Sequence, residues 1–299
     1  MKSLSNLRFA SIDIGSNAVR LLLSTVFEDG HPPLVKKESL VRMPIRLGDD
    51  AFTNHRISGG KVEQLLETMK AFRHLITAYR PLDCMACATS AVREAENGPE
   101  IIRDIKEQSG ISVEIIGGRR EAEILFATHF EKTLEEDSSC LYIDVGGGST
   151  ELTFFSKDVP PASRSFDIGT IRILSGLVSE NSWKDMKRWI KENQTSMKPA
   201  SAIGSGGNIN KIFRLARKKE KKPLFFKEIK NIYEDLKSCP LMDRILVWGL
   251  RPDRADVIVP AAEIYLSVMK WAGIKIIYVP QFGLSDGLIR IMYEEHKNR

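Results

Sequence analysis

The sequence predicts an α/β protein built from two related domains, and three observations carry that prediction. The first is the stretch IDVGGGSTE at 143–151. A strand-like run (Leu141, Tyr142, Ile143, Val145) holding Asp144 enters three consecutive glycines, then Ser149, Thr150, Glu151 and a second apolar run, Leu152 to Phe155. Apolar strand, glycine-rich turn and apolar strand read as a tight β-hairpin. The second is a copy of the pattern 131 residues earlier, IDIGSNAVR at 12–20, continuing as LLLSTV. Asp13 precedes Arg20 by seven positions, as Asp144 precedes Glu151. Two copies at so long a spacing indicate paired domains, not a solenoid. The third is the alternation of strand and helix patterns between the hairpins, the mark of an α/β domain.

Taken in order, Phe9 to Ile14 and Val19 to Val26 form the first hairpin, with Gly15-Ser16-Asn17 at its turn. Ser16 and Asn17 offer hydroxyl, amide and backbone donors to an anion. Arg20, on the strand after the turn, either reaches the ligand or caps the sheet. Residues 28–60 are polar and turn-rich and read as strands and a loop. Val62, Leu65, Leu66, Met69, Phe72, Leu75, Ile76 and Tyr79 recur at helical spacing, an amphipathic helix whose stripe is core. Cys84 to Ala88 reads as a buried strand ending in Thr89-Ser90-Ala91-Val92-Arg93. The fork of Arg93 suits a phosphate; the alternative is a surface ion pair with Glu94 or Glu96. A helix over 98–109 and a strand over 111–116 follow.

Two glycines at 117–118 then open a helical segment, GGRREAEILFATHFEKTL at 117–134, whose first turn holds Arg119, Arg120 and Glu121. An acid there also complements the helix dipole. The second domain begins near residue 125. In its hairpin, glycines without Cβ atoms let backbone N–H groups point at a bulky anion. Asp144 and Glu151 flank that turn, placed to hold a cation beside the anion. SRSFDIGTIRILSGL reads as a strand in which Gly169 permits a close backbone approach. A helix over 182–197 turns Trp183, Met186, Trp189 and Ile190 to one face, and Gly204–Asn208 opens another. Arg214, Arg217, Lys218, Lys219, Lys221 and Lys222 form a basic cluster that steers a long polyanion or is a solvated helix end. Helices are predicted over 226–238 and 253–272, the latter broken near Pro260. The strand Ile274–Val279 leads to a last helix capped by Ser285 or Asp286.

The 299 residues leave room for two domains, each with its own core. A hydrophobic content of 42% with 28% charged residues is that of a soluble globular chain. The net charge of +5 favours an anionic partner. No nucleic-acid motif accompanies it, and no run approaches a signal peptide or a membrane span, so a cytoplasmic protein is expected. Four cysteines make no disulfide framework in a chain of this length. The CxxC of Cys84 and Cys87 lacks further ligands for zinc and reads as buried free thiols.

Seven segments, IDIGSN, ATSAVREAEN, IDVGGGSTE, SFDIGTIRI, GSGGN, RADVIVPAAEI and FGLSDGL, together resemble one family in its own order. They look like the exopolyphosphatase / guanosine pentaphosphate phosphohydrolase branch of the acetate and sugar kinase, Hsp70 and actin superfamily. The resemblance implies two RNase H-like (actin-like ATPase) domains with an interdomain cleft, residues 1–125 plus about 281–299 and residues 126–280, the two hairpins facing each other across it. It implies a Mg²⁺-dependent hydrolase that removes terminal phosphates from polyphosphate or from pppGpp. Ser16, Asn17, Arg20, Arg93 and the Gly146-Gly147-Gly148-Ser149 backbone would hold phosphate, and Asp144 and Glu151, with Asp13, would hold Mg²⁺. The family places its catalytic glutamate just before an alanine, in a Glu-Glu-Ala run. Here Arg120 replaces the first glutamate, so only Glu121 can inherit the role of base, beside two added arginines. Longer members continue into an all-helical C-terminal domain without counterpart in this sequence. A homodimer is among the expected assemblies, although no residue pattern specifies one. An ATP-dependent kinase and a non-catalytic nucleotide-sensing module remain alternatives on the same fold.

Overall fold

The first strand, β1 (Asn6–Ile14), is buried at each of its last six residues, as expected of a central strand covered on both faces. The computed structural model describes residues 6–28, 33–126, 139–156 and 159–298. They belong to two compact units, Met1–Thr128 with Gly283–Arg299, and His129–Phe282.

In the first unit β1 is followed by β2 (Val19–Phe27), β3 (Leu34–Met43), α1 (Leu47–Asn54), α2 (Gly59–Tyr79), β4 (Asp83–Ala88), α3 (Ser90–Glu94), α4 (Gly98–Ser109), β5 (Glu114–Ile115) and α5 (Gly118–Phe126). The second unit holds β6 (Cys140–Val145), β7 (Thr150–Ser156), β8 (Val159–Phe166), α6 (Thr170–Leu174), α7 (Glu180–Met197), β9 (Ser201–Ser205), α8 (Gly207–Leu215), β10 (Leu224–Phe225), α9 (Phe226–Ser238), α10 (Leu241–Leu246), α11 (Pro252–Ala255), α12 (Ile258–Ala272) and β11 (Ile276–Tyr278). The last helix, α13 (Leu284–Lys297), returns to the first unit.

The sheet of the first unit runs β3-β2-β1-β4-β5 and that of the second, read from its far edge, β8-β7-β6-β9-β11-β10. In both, three antiparallel strands are extended by two parallel ones beside the first, and the second sheet adds β10 antiparallel at its edge. The sequence repeat is therefore a repeat of topology, mixed α/β of the RNase H-like, actin-like kind.

The apolar patterns account for most elements. Leu65, Met69, Phe72 and Ile76 of α2 are buried, whereas Leu75, at the edge of the predicted stripe, is 40% exposed. Met186 and Ile190 of α7 enter the second core, with Trp183 and Trp189 packed against it.

Several expectations change. Residues 28–60 hold a helix, α1, besides β3; its αL entry at Arg46 breaks the strand pattern, and its short apolar stripe is hidden among polar residues. The strand predicted over 111–116 keeps ladder pairing only at Glu114–Ile115, and that over Ile274–Val279 only at Ile276–Tyr278. SRSFDIGTIRI leaves the sheet at Phe166 and becomes helix α6. The helix over 253–272 is two, and Pro260 lies in the first turn of α12, where its missing N–H costs no helical bond. The short α10 was not predicted. Asp286 caps α13 by accepting from the Gly283 N–H at 2.9 Å. Residues 127–134 of the helix expected after Gly118 lie outside the described residues.

Cys84 and Cys87 are free thiols; three apart on a strand, they point to opposite faces. No helix among the described residues is long and apolar enough to cross a membrane.

Tyr265 of α12 ties the second unit together. It is fully buried, and its hydroxyl donates to the Ser205 carbonyl where β9 ends. Burial pushes that hydroxyl well above its usual pKa, helped by the charge of Asp144, so it stays a donor. Tyr265→Phe is expected to lower unfolding stability by about 1–3 kcal/mol, read from denaturant midpoints at unchanged slope. A loss within error would show that this bond carries no net stability.

Candidate functional site

Each hairpin loop is closed by one hydrogen bond, Gly15 N–H to Ala18 carbonyl (3.1 Å) and Gly146 N–H to Ser149 carbonyl (2.9 Å). Gly146 therefore spends its N–H on the turn and is no donor to a ligand, contrary to expectation. Its neighbours differ because of what lies behind them. The carbonyl of Gly146 accepts from Thr170 N–H (3.1 Å) and that of Gly147 from Ile171 N–H (2.9 Å), both at the start of α6. The carbonyl of Gly148 accepts from Arg172 Nε at 2.7 Å. A trans peptide points its C=O and N–H in opposite directions. Anchoring these three carbonyls to α6 thus turns the N–H groups of Gly147, Gly148 and Ser149 away from it, a row of donors suited to an anion. The Gly147 and Gly148 N–H groups meet no acceptor among the described residues.

The first loop repeats this geometry. Ser16 and Asn17 carbonyls accept from Gly48 N–H (2.8 Å) and Arg46 N–H (3.2 Å) at the entry to α1. The N–H groups of Asn17 and Ala18 are turned the other way. In both units the segment after the third strand holds the loop from behind. Gly169 shows how tightly: a Cβ there would overlap the Gly147 carbonyl oxygen. The close approach expected at this glycine is present, with a helix start in place of a strand.

The charged positions are register partners, Asp13 with Arg20 and Asp144 with Glu151, but the two pairs are electrically unlike. Arg20 donates to Asp13 in an ion pair, so Asp13 is already neutralised and fits poorly as a metal ligand. The second hairpin carries two acids. Glu151, 2% exposed, accepts on Oε1 from Ser149 Oγ (2.6 Å) and Ser165 Oγ (2.9 Å). Those bonds hold it as an oriented carboxylate and commit the Ser149 hydroxyl. Asp144 is half-buried and borders the β9–α8 turn, where Gly206 has φ 102° and a Cβ would lie 3.0 Å from Asp144 Oδ1. Behind that turn Arg254 donates to the Gly207 carbonyl at 2.5 Å. Among the described residues no cluster of three or more His, Cys, Asp or Glu groups could hold a metal. Two carboxylates with water and phosphate oxygens are the set that Mg²⁺ accepts.

In the first unit Ser16 is buried, its hydroxyl 2.9 Å from that of Ser90. Arg93 donates to the Ile116 carbonyl at 2.8 Å and lies 4.0 Å from Glu94, so one face of its fork is committed to its own unit. Glu121 stands in the first turn of α5, half-buried. Burial pushes the Cys87 thiol well above its usual pKa, and the charges of Asp13 and Glu121 raise it further. Both acids are therefore within electrostatic range of one buried thiol. Arg119 and Arg120 pair with Glu123, at 3.2 and 3.6 Å.

Ser90 and Gly206 lie in segments that the sequence had singled out, whereas Ser165 and Arg172 escaped sequence reading. Ser165 had a usable signal, as the cross-strand partner of Glu151, but that needs the β8 register. A cavity of about 520 Å³ between α2 and α4 is lined by Glu63, Glu67, Glu100 and Asp104 together with Arg56 and Lys70, which pair with Glu100 and Glu67, and it holds none of the candidate site residues.

Two mixed sheets, each with a tight glycine-containing loop between its first two strands, define an α/β protein of the RNase H-like, actin-like fold class. Within that class the chain belongs to the Ppx/GppA phosphatase family, whose model matches residues 28–296, and it is accordingly a phosphatase-type hydrolase. It is 27% identical over 99% of its length to a bifunctional 3-dehydroquinate synthase/phosphatase of Fusobacterium nucleatum, of which it spans 47%. It is 23% identical over 95% of its length to exopolyphosphatase 1 of Mycobacterium tuberculosis, covering 87% of that protein. The crystal structure of an exopolyphosphatase from Cytophaga hutchinsonii shares its fold, with a TM-score of 0.84 at 24% identity over 96% of this chain and 98% of that one.

Gly169→Ala is expected to push the glycine loop forward, raising KM for a phosphate substrate at least about tenfold with the fold retained, since a misplaced binding group loses its advantage. Steady-state kinetics beside circular dichroism check it. An unchanged KM would mean that the loop does not meet the substrate.

Proposed function

We propose that this protein releases terminal orthophosphate from inorganic polyphosphate by attack of water, with guanosine pentaphosphate the alternative substrate. The observation that carries the reading is the row of backbone donors at Gly147, Gly148 and Ser149 beside the paired carboxylates Asp144 and Glu151. The donors would neutralise phosphoryl oxygens, and the two carboxylates are the residues that would hold Mg²⁺, directly or through water. When bound, Mg²⁺ offsets the charge that develops on the transferring group. Asp13 is left out of the metal set because Arg20 already pairs with it. The first loop instead presents Asn17 and Ala18 N–H groups; Arg20 is already paired with Asp13, and Arg93 follows on the short helix that starts at Ser90, beside Ser16.

Glu121 is the general base. It is half-buried in the first turn of α5, and the two added arginines pair with Glu123. A carboxylate facing a polyanion repels it, a cost that makes sense if the group takes a proton from the attacking water. The name of the mycobacterial relative supports polyphosphate, and the mild net positive charge supports an anionic substrate.

Side-by-side phosphate release from polyphosphate, pppGpp and ATP with Mg²⁺ tests the substrate. Release from polyphosphate without an acceptor is expected; tight binding with no turnover would favour a sensor. Glu121→Gln is expected to lower kcat by about 10²–10⁴, roughly 3–5 kcal/mol of barrier, with substrate affinity held or improved. Near-normal turnover would remove Glu121 from the mechanism.

Within the basic cluster Lys218 pairs with Glu228 at 2.8 Å and lies over Phe225, and the exposed Arg214 donates to Gln281 at 3.4 Å. That leaves four further exposed side chains, Arg217, Lys219, Lys221 and Lys222. Neutralising those four is expected to weaken long polyphosphate more than triphosphate, by a margin that shrinks at high salt. Equal effects on both lengths would mark the cluster as a solvated surface.

A further inference from the structure

Where α13 meets α5 the helices touch backbone to backbone at Gly287. A Cβ on residue 287 would overlap the Ile124 carbonyl oxygen and lie 2.7 Å from the carbonyl carbon. No side chain fits, and the obstacle is main chain, which cannot rotate aside as a side chain can. Its φ is not in the left-handed region, so the requirement for glycine is one of contact, not of conformation.

Of the two helices α13 is the less free to retreat. The start of α13 is fastened to its sheet in two places. Asp286 forms an ion pair with Lys37 of β3 at 2.7 Å, and the Ser285 carbonyl accepts from Ser11 Oγ of β1 at 2.8 Å. On the other side Ile124 is fully buried in a cluster with Cys87, Ile116, Leu284 and Leu288. An added methyl group must therefore displace α5. Glu121 lies three residues before Ile124, one turn up the same helical face, with its charge reaching Cys87.

We propose that Gly287 is a positioning residue for the reaction. The absent side chain sets how closely α5 lies to α13 and the sheet, and through α5 it sets where the Glu121 carboxylate stands. The inference rests on the assignment of Glu121 as base. It adds that the FGLSDGL segment acts on chemistry through a contact remote from the carboxylate.

The test is a double-mutant cycle on kcat for phosphate release from polyphosphate, using the full chain. Gly287→Ala is expected to lower kcat about 100-fold, the effect of a displacement near 1 Å, with KM changed by less than about twofold. Added to Glu121→Gln, the same substitution should cost nothing further, because groups acting through one another are not additive. Ile124→Val, a milder change that keeps the fold, should show the same pattern at smaller size: a loss in the wild-type background and none with Glu121→Gln. It decides the matter if Gly287→Ala does not fold. Equal fold-losses in both backgrounds, or a Gly287→Ala protein with normal kcat, would overturn the positioning role alone. Normal turnover by Glu121→Gln itself is a separate result that removes the base assignment and this inference with it.

Discussion

The backward hydrogen bonding of the hairpin loops is the constraint on which the rest of the second unit depends. Three successive carbonyls, Gly146 to Gly148, are drawn to Thr170, Ile171 and Arg172, and planar peptides then leave the alternate N–H groups no choice of direction. Everything around the loop serves that arrangement. Gly169 lacks a side chain so that α6 can approach, and Thr150 donates to the Ile168 carbonyl, fixing the chain that leads into α6. β7 and β8 hold Glu151 and Ser165 opposite each other. The donors are in place before any ligand arrives, so little ordering remains to oppose binding.

The same backbone device occurs in both units, yet the charged partners have diverged. In the first, Arg20 cancels Asp13; in the second, Glu151 faces Asp144 with its carboxylate held by two serine hydroxyls. Two acids on adjacent strands repel unless a cation stands between them or protons are taken up. An acid and a base need neither. One topology thus supplies a hairpin with an opposed acid and base and a hairpin with two opposed acids, and a single residue type at the matched position makes the difference.

The legible part of the chain followed from periodicity and chemistry that act locally. The hairpins, α2, α4, α7 and α9 could be drawn from the sequence because their apolar residues recur at one period over many positions. What stayed hidden is short or depends on distant partners. α1, α6 and α10 span eight, five and six residues, too few turns for a stripe to declare itself. SRSFDIGTIRI reads as strand by composition, but beyond Phe166 the carbonyls of the glycine loop offer its N–H groups better partners than a sheet edge does. Arg172 carried no signal, since nothing near it in sequence reveals that its Nε meets Gly148.

By itself the sequence determined the two-fold repeat, the α/β class, the glycine loops and the acids and bases that flank them, because those depend on residue type and on spacing along one strand. Only the tertiary structure decided which of those groups are available. It closed Gly146 onto Ser149, gave Asp13 to Arg20 and bound Arg93 to Ile116. It also set Glu123 against the two added arginines, and pressed α5 against a glycine 163 residues further along the chain. The physical reason is that a side chain's chemistry is intrinsic, whereas its freedom to act is set by which donors and acceptors the fold brings within three ångströms of it, and those come from strands and helices far away in sequence.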